Sequence, residues 1–452
     1  MNRRTFLKTA GASAAALKAA PSRPNLLFIM TDQQFADAMS CRMGEEYIRT
    51  SHMDSLADNG TLFKRAYCAN PLCVPSRTST FTGRYPAETG IQTNDKASLD
   101  VRRFPLMGTI FKRSGYATGY FGKWHIPVPI ERTDLHGFDA MPRRKLDAHT
   151  ADAAAAFIKT KRAQPFLAVA SFLNPHNICQ WPRGEALSEG DVGTPPPADR
   201  CPPRRANFAP PKNETDIMLL MRRSYQASRM FPVGGFGEKQ WREYIWAYYR
   251  MIELVDALVG RVVSAVREAG LEDSTLIVFT SDHGDMMGAH GWNQKTVFYD
   301  ESARVPLVIS GKGITKRGTS DRLAHTGVDL LPTLCDYAGI AVPQELPGVS
   351  LRDGVRDTRQ CVVVSNRMVQ GEPVDGRAPR PDGRMVRSRR YKYCVYSEGE
   401  RRESLVDMEK DPGETVNLAE EPRLSGTLEG HRRLLAEWAR TTGDSFRGAG
   451  AS

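Results

Sequence analysis

The sequence contains no apolar run near the roughly 18 residues that a membrane-spanning helix requires. Its longest such run, Phe166 to Leu173, has the length of a buried strand. A multipass membrane protein is therefore excluded. The eight cysteines (41, 68, 73, 179, 201, 335, 361 and 394) include no C-x-x-C pair. That argues against a zinc ribbon or a thioredoxin-like centre, and most of these thiols read as small buried hydrophobes. No dense Lys/Arg tract interleaved with aromatics occurs, so nucleic acid is not an expected partner. Internal repeats and coiled-coil heptads are also missing.

What is present describes a large folded chain. With 452 residues, 40% hydrophobic and 25% charged, it suits one large α/β domain plus a smaller one. Four of the net +10 charges belong to Arg3, Arg4, Lys8 and Lys18, with no acid among them. The remainder is modestly basic, which fits an anionic substrate.

Residues 1–20 have a basic start, a weakly apolar middle and small residues leading to Pro21, the pattern of an export signal. Arg3-Arg4 ahead of Phe6-Leu7-Lys8 resembles the bacterial twin-arginine motif. That resemblance implies the twin-arginine translocase as a partner and delivery to the periplasm or cell envelope. Lys18 interrupts the apolar stretch, so cleaved and membrane-tethered forms both remain open.

Four apolar runs share one form. Arg23 to Asp32, Tyr116 to Phe121 leading into Gly-Lys123-Trp-His125, Pro165 to Leu173 leading into Asn-Pro-His176, and Ser274 to Thr280 leading into Ser-Asp282-His283 each end in polar residues. Between them lie helical patterns at Phe104–Arg113, Ala148–Arg162 and Trp241–Val266. Alternation of this kind predicts a large, mostly parallel mixed sheet sandwiched by helices, with ligands bound beyond the carboxyl ends of its strands. Residues 177–213, rich in proline, read as a surface insertion bordering the cleft. After Pro347, short runs at Val362–Val364, Met385–Arg387, Tyr391–Tyr396 and Ser404–Val406 predict a small antiparallel sheet, closed by a helix from Leu428 to Arg440. The expected organisation is thus a signal (1–20), a catalytic α/β domain (21–346) and a C-terminal subdomain (347–452).

The most informative stretch is Cys73-Val-Pro-Ser-Arg77-Thr-Ser-Thr-Phe-Thr82-Gly83. A helix beginning near Ser76 would aim backbone N–H groups at a tetrahedral oxyanion, with Arg77 adding bidentate donors. This segment resembles the signature of the type I sulfatases of the alkaline phosphatase superfamily, C-x-P-S-R followed five residues later by T-G. Further matches are Asp32 after the first strand, Lys123-Trp-His125, Asn174-Pro-His176, Ser281-Asp282-His283-Gly and Gly291-Trp-Asn-Gln-Lys295. The stretch from Asp407 to Leu418 also resembles the family's C-terminal end.

The resemblance implies sulfate-ester hydrolysis, with Cys73 converted to formylglycine by a formylglycine-generating enzyme. It implies metal ligation by Asp32, Gln33, Asp282, His283 and residue 73, and substrate binding by Arg77, Lys123, His176 and Lys295. It makes His176, alone or with Lys295, the acid for the leaving alcohol, and His125 the base that releases sulfate. Gln33 stands where many relatives carry a second acid. The implied cation is calcium, while the His283 nitrogen also suits manganese or zinc. A carbohydrate sulfate is the expected substrate. The rival readings are a phosphonate monoester or phosphodiester hydrolase of the same superfamily and a non-catalytic protein that binds sulfated glycans. His290 lies near enough to Lys295 to line the site, whereas His52, His136, His149, His325 and His431 read as structural. Arg367, Arg377, Arg380 and Arg384 either meet a polyanionic glycan or form a solvated face.

Overall fold

The computed structural model describes residues 23–446, apart from 96, 144–145 and 344–345. The export signal expected over residues 1–20 lies outside the described residues.

The four apolar runs become β1 (Asn25–Asp32), β3 (Ala117–Gly122), β4 (Phe166–Pro175) and β5 (Thr275–Ser281). With β2 (Gly60–Tyr67), β6 (Leu307–Gly311) and β7 (Gly318–His325) they form a seven-stranded sheet in the order β3-β4-β1-β5-β6-β2-β7. The four are therefore neighbours, and they pair in parallel. β6 runs antiparallel to both β5 and β2, which makes the sheet mixed.

Successive residues explain why these strands read as continuous apolar runs. In β1, Leu27 and Ile29 enter one core, while Leu26, Phe28 and Met30 enter the core on the opposite face. β5 divides in the same way, with Ile277 and Phe279 on one side and Leu276 and Val278 on the other. A parallel strand covered on both faces can be apolar at every position. The helices Asp147–Lys159 and Glu238–Glu268 supply residues to the first core, and Cys73–Thr82, Met107–Arg113 and Thr326–Ala338 supply the second.

The C-terminal runs become β8 (Cys361–Arg367), β9 (Asp382–Ser388), β10 (Tyr391–Tyr396) and β11 (Glu403–Asp407), antiparallel throughout in the order β11-β10-β9-β8. The helix Ser425–Thr442 packs Leu428, Leu435 and Trp438 against Val386, Tyr393 and Val395 of this sheet. β8 also reaches back to the large sheet's loops. Ser365 N–H donates to Ala69 O at 3.1 Å, and Asn366 Nδ2 donates to Thr296 O at 2.6 Å.

Residues 177–213 contain only short 3-10 turns, at His176–Cys179, Trp181–Arg183 and Ala198–Arg200. The body pins them: the Arg242 side chain donates to Cys201 O at 2.6 Å, and the His290 backbone N–H donates to Asn207 O at 2.7 Å. Among the described residues, no helix is long and apolar enough to cross a membrane.

Candidate active site

The parallel strands end at one edge, where Thr31 pairs with Ser281 and Asp32 with Pro175. The residues that follow each strand are thereby brought together. Gly122 makes one of these exits possible: its φ is +104°, and a Cβ there would come within 1.9 Å of Ser171 O. Lys123 follows it out of the sheet. Gly284 is equally restricted, since a Cβ would meet Glu301 O at 2.0 Å. It lets the chain after His283 pack directly on the Glu301–Ser302 backbone, where Gly284 N–H donates to Ser302 O at 2.8 Å.

Cys73 lies at the centre and is 1% exposed. Its Sγ is 3.2 Å from His283 Nε2, 3.4 Å from Lys295 Nζ, 3.8 Å from Lys123 Nζ and 3.9 Å from Asp32 Oδ1. Burial raises the thiol's pKa, but Lys123, Lys295 and His283, with a hydrogen bond from His125, outweigh it and bring it well below the usual value. Residue 73 is thus a position where negative charge is stabilised.

The helix begins at Cys73 itself, three residues earlier than expected from Ser76. Its first-turn amides do not form the expected anion cradle. Val74 N–H donates to Asn94 Oδ1 at 2.9 Å, Pro75 has no N–H, and Ser76 N–H donates to Leu72 O at 3.0 Å. Positive charge around residue 73 comes instead from the two lysines.

Arg77 also departs from expectation. It is fully buried, and its guanidinium serves the protein rather than an exposed anion. Nε donates to Asp282 Oδ2 at 2.7 Å, Nη2 to Asp32 Oδ2 at 3.2 Å, and Nη1 to Ser171 Oγ at 2.8 Å and Lys123 O at 2.9 Å. Four of its five N–H directions are occupied by the protein's own acceptors, so the side chain ties Asp32 and Asp282 to the strand end at Ser171. Ser171 was not legible as a site residue, since it sits within an apolar strand.

Asp32, Cys73, Asp282 and His283 place their ligand atoms within 4.8 Å of one another, all buried. His283 Nδ1 lies 3.0 Å from Gly284 O, a donor bond that leaves the Nε2 lone pair facing the cluster. Two carboxylates and an imidazole nitrogen converging on one point fit a divalent cation. Burial and Cys73 push the Asp32 carboxyl up, but Lys123, His176 and Arg77 overcome them and hold it well below the carboxylate range. Burial and the Asp32 charge raise Asp282.

Gln33, expected among the ligands, has other partners. Its Oε1 accepts from Lys295 Nζ at 2.6 Å, and its Nε2 donates to Asp285 Oδ2 at 2.6 Å and Gln294 Oε1 at 3.1 Å.

Lys123 pairs with Asp32 and remains partly accessible. His125 is exposed with φ at 50°, and His176 is half-buried at the end of β4. Burial disfavours the His176 imidazolium, yet Cys179 and Asp32 prevail and its pKa is pushed up to about 9. It is thus a proton carrier at neutral pH. His290 is committed elsewhere: its nitrogens face Ala209 O at 3.2 Å and Asn207 Nδ2 at 3.4 Å, and its ring packs on Tyr299. The arginines of the C-terminal subdomain are largely spoken for. Arg367 pairs with Asp382, Arg377 with Glu398 and Arg384 with Asp444, while Arg380 stays exposed.

Residues 24–340 match the family described as Sulfatase, and residues 288–439 match N-sulphoglucosamine sulphohydrolase, C-terminal. The chain is 34% identical to a Delta 4,5-hexuronate-2-O-sulfatase of Bacteroides thetaiotaomicron, over 95% of this chain and 91% of that one. A solved structure of a 2-O GAG sulfatase superposes with a TM-score of 0.82 at 30% identity, covering 94% of this chain and 95% of the other. A phosphonate monoester hydrolase of Agrobacterium radiobacter shares the fold at a TM-score of 0.74 and 24% identity, over 93% of this chain and 96% of that one.

Proposed function

We infer that this chain, which belongs to the sulfatase family and is an enzyme that hydrolyses sulfate esters, acts on a carbohydrate sulfate through a formylglycine made from Cys73. The observation that carries the reading is the convergence on Cys73 Sγ of two lysines, a histidine and a buried carboxylate. A glycan-binding protein without turnover would have no need of so complete a cluster.

A divalent cation would be held by Asp32, Asp282, His283 and an oxygen on residue 73, where it would polarise that oxygen and the sulfuryl group. Calcium is favoured by the two carboxylates, with manganese or zinc as the alternatives that an imidazole ligand admits. A hydrated aldehyde at residue 73 supplies one hydroxyl for attack on sulfur and a second whose deprotonation expels sulfate. The chain's own residues supply the remaining functions. Lys123 and Lys295 orient the sulfuryl oxygens and offset their charge. His176, protonated at neutral pH, donates a proton to the leaving alcohol. His125, exposed and within hydrogen-bonding reach of residue 73, removes the proton from the second hydroxyl. Arg77 acts from beneath, holding both acids in place.

A formylglycine-generating enzyme is the implied partner for Cys73, and the twin-arginine translocase for residues 1–20, with the periplasm or cell envelope as destination. The names of the relatives favour a 2-O-sulfated uronate residue of a glycosaminoglycan as the first substrate to try. Sulfate release from defined sulfated oligosaccharides, compared by kcat/KM with an aryl phosphodiester and a phosphonate monoester, tests the reading. A carbohydrate sulfate should be preferred by orders of magnitude. Preference for a phosphorus ester would overturn it.

A further inference from the structure

Asp285 is fully buried, yet no step described above uses it. One oxygen accepts from Met287 N–H at 2.9 Å and caps the turn after Gly284. The other accepts from Gln33 Nε2 at 2.6 Å. Gln33 is also fully buried, and its amide lies between two kinds of neighbour. On its nitrogen side are two oxygen acceptors, Asp285 Oδ2 and Gln294 Oε1; on its oxygen side is the Lys295 ammonium, while Cys179 Sγ lies 3.7 Å from both ends and favours neither orientation. Both sides demand the same orientation, because an amide has a donor end and an acceptor end. The Lys295 Nζ held in this way stands 3.4 Å from Cys73 Sγ.

We propose that Asp285 is a positioning residue for sulfate-ester hydrolysis, fixing through the Gln33 amide where the Lys295 ammonium stands over residue 73. The proposal rests on the reading that Lys295 binds the sulfuryl group. It gives Gln33 a role apart from the cation: it is the link between a buried carboxylate and a substrate-binding lysine. A second acid at position 33 would place two carboxylates side by side at Asp285, so the amide and Asp285 belong together.

The test is a double-variant cycle, because that isolates coupling from separate structural losses. In Asp285→Asn the single remaining oxygen can serve Met287 N–H or Gln33, but not both. When it serves Met287, the new amide nitrogen faces Gln33, whose own amide turns over and points its NH2 at Lys295. Loss of a charge-assisted hydrogen bond of this kind should lower kcat/KM by about 10- to 100-fold. Gln33→Glu alone should also lose activity, through repulsion from Asp285. In the double variant the carboxylate introduced at position 33 accepts both from the amide introduced at position 285 and from Lys295. Gln294 can turn its Nε2, which has no partner, toward that carboxylate. Activity should return to within about threefold of the parent enzyme.

Binding of inorganic sulfate, measured by calorimetry, gives a readout independent of turnover. It should weaken in each single variant and recover in the double. Gln33→Met, which leaves the Met287 cap untouched, covers the case in which Asp285→Asn fails to fold; it should weaken sulfate binding and kcat/KM by the same 10- to 100-fold. Losses that multiply in the double variant, or indifference of Gln33→Met, would overturn the relay. So would a gain in bound calcium and activity from Gln33→Glu whatever stands at position 285, which would make residue 33 a cation ligand. A parent enzyme that binds sulfate but releases none from any ester would instead count against the proposed function, and the sulfate-binding cycle would still decide the relay.

Discussion

Arg77 Nε donates to Asp282 Oδ2 at 2.7 Å, with neither side chain reaching solvent. The same guanidinium holds Asp32, so one buried cation keeps two buried carboxylates in register. Removing it strands both acids. Arg77→Ala should therefore cost about 3–5 kcal/mol of stability in the metal-free protein. A bound cation would compensate part of that charge. Thermal unfolding should thus show a larger drop in Tm in chelator than in saturating calcium. Equal drops in both conditions would show that the two cations do not share those acids.

Asp282 offers the second carboxylate to the proposed cation, and residue 33 contributes none. Asp282→Ala should lower bound calcium sharply along with turnover. Metal content of the purified variant measures this directly, and full occupancy would place the cation elsewhere.

Residue 73 is the position on which the chemistry turns. Peptide mass spectrometry across residues 66–84 of active protein should show formylglycine in place of cysteine. Cys73→Ser should react at most once and stay sulfated, since an alcohol has no second hydroxyl with which to expel sulfate, and Cys73→Ala should not react. Fully active protein carrying only unmodified cysteine would refute the mechanism.

His325 links the two sheets. It ends β7, its Nε2 lies 2.9 Å from Val363 O of β8, and its ring packs edge-on against Tyr85. Burial, reinforced by Arg359, drives its pKa down to about 3. A histidine depressed in the folded state gives its full stability above the unfolded value near 6.5 and loses it as pH falls toward 3. Each unit is worth about 1.4 kcal/mol, so acidification should remove several kcal/mol through this one group. His325→Gln should flatten the fall of Tm between pH 6.5 and 4. A fall as steep as the parent's would assign the acid sensitivity to other groups.

Export should depend on Arg3 and Arg4. Replacing both with lysine should leave the protein in the cytoplasm, as fractionation would show. Unchanged export would remove the twin-arginine reading.

The central four strands were legible because burial on both faces writes an uninterrupted apolar run. Asp32, Lys123, His176, Asp282 and His283 stood out as candidates because each lies at or just beyond the end of such a run. β2 and β7 were not: Gly60–Tyr67 carries Lys64 and Arg65, and Gly318–His325, at the sheet's edge, starts polar and exposed and is buried only over Leu323–His325, so neither shows a clean pattern. Within the site, the signature marked Arg77 but not the direction of its guanidinium, because which acceptors a guanidinium reaches depends on packing from distant segments. Asp285 and Gln294 lay beside identified residues, and only the fold shows that Gln33 touches both.

The two bonds from β8, Ser365 to Ala69 and Asn366 to Thr296, secure the loops that carry Cys73 and Lys295. Synthesis runs from the amino end, so these anchors are made long after both loops have left the ribosome. During that interval the Cys73 segment lacks its last supports, while in the finished fold its thiol is 1% exposed. Any enzyme that acts on this thiol must therefore do so while the chain is still being made or has just been released. A chain truncated before residue 361 should remain open to such an enzyme and never settle into an active arrangement.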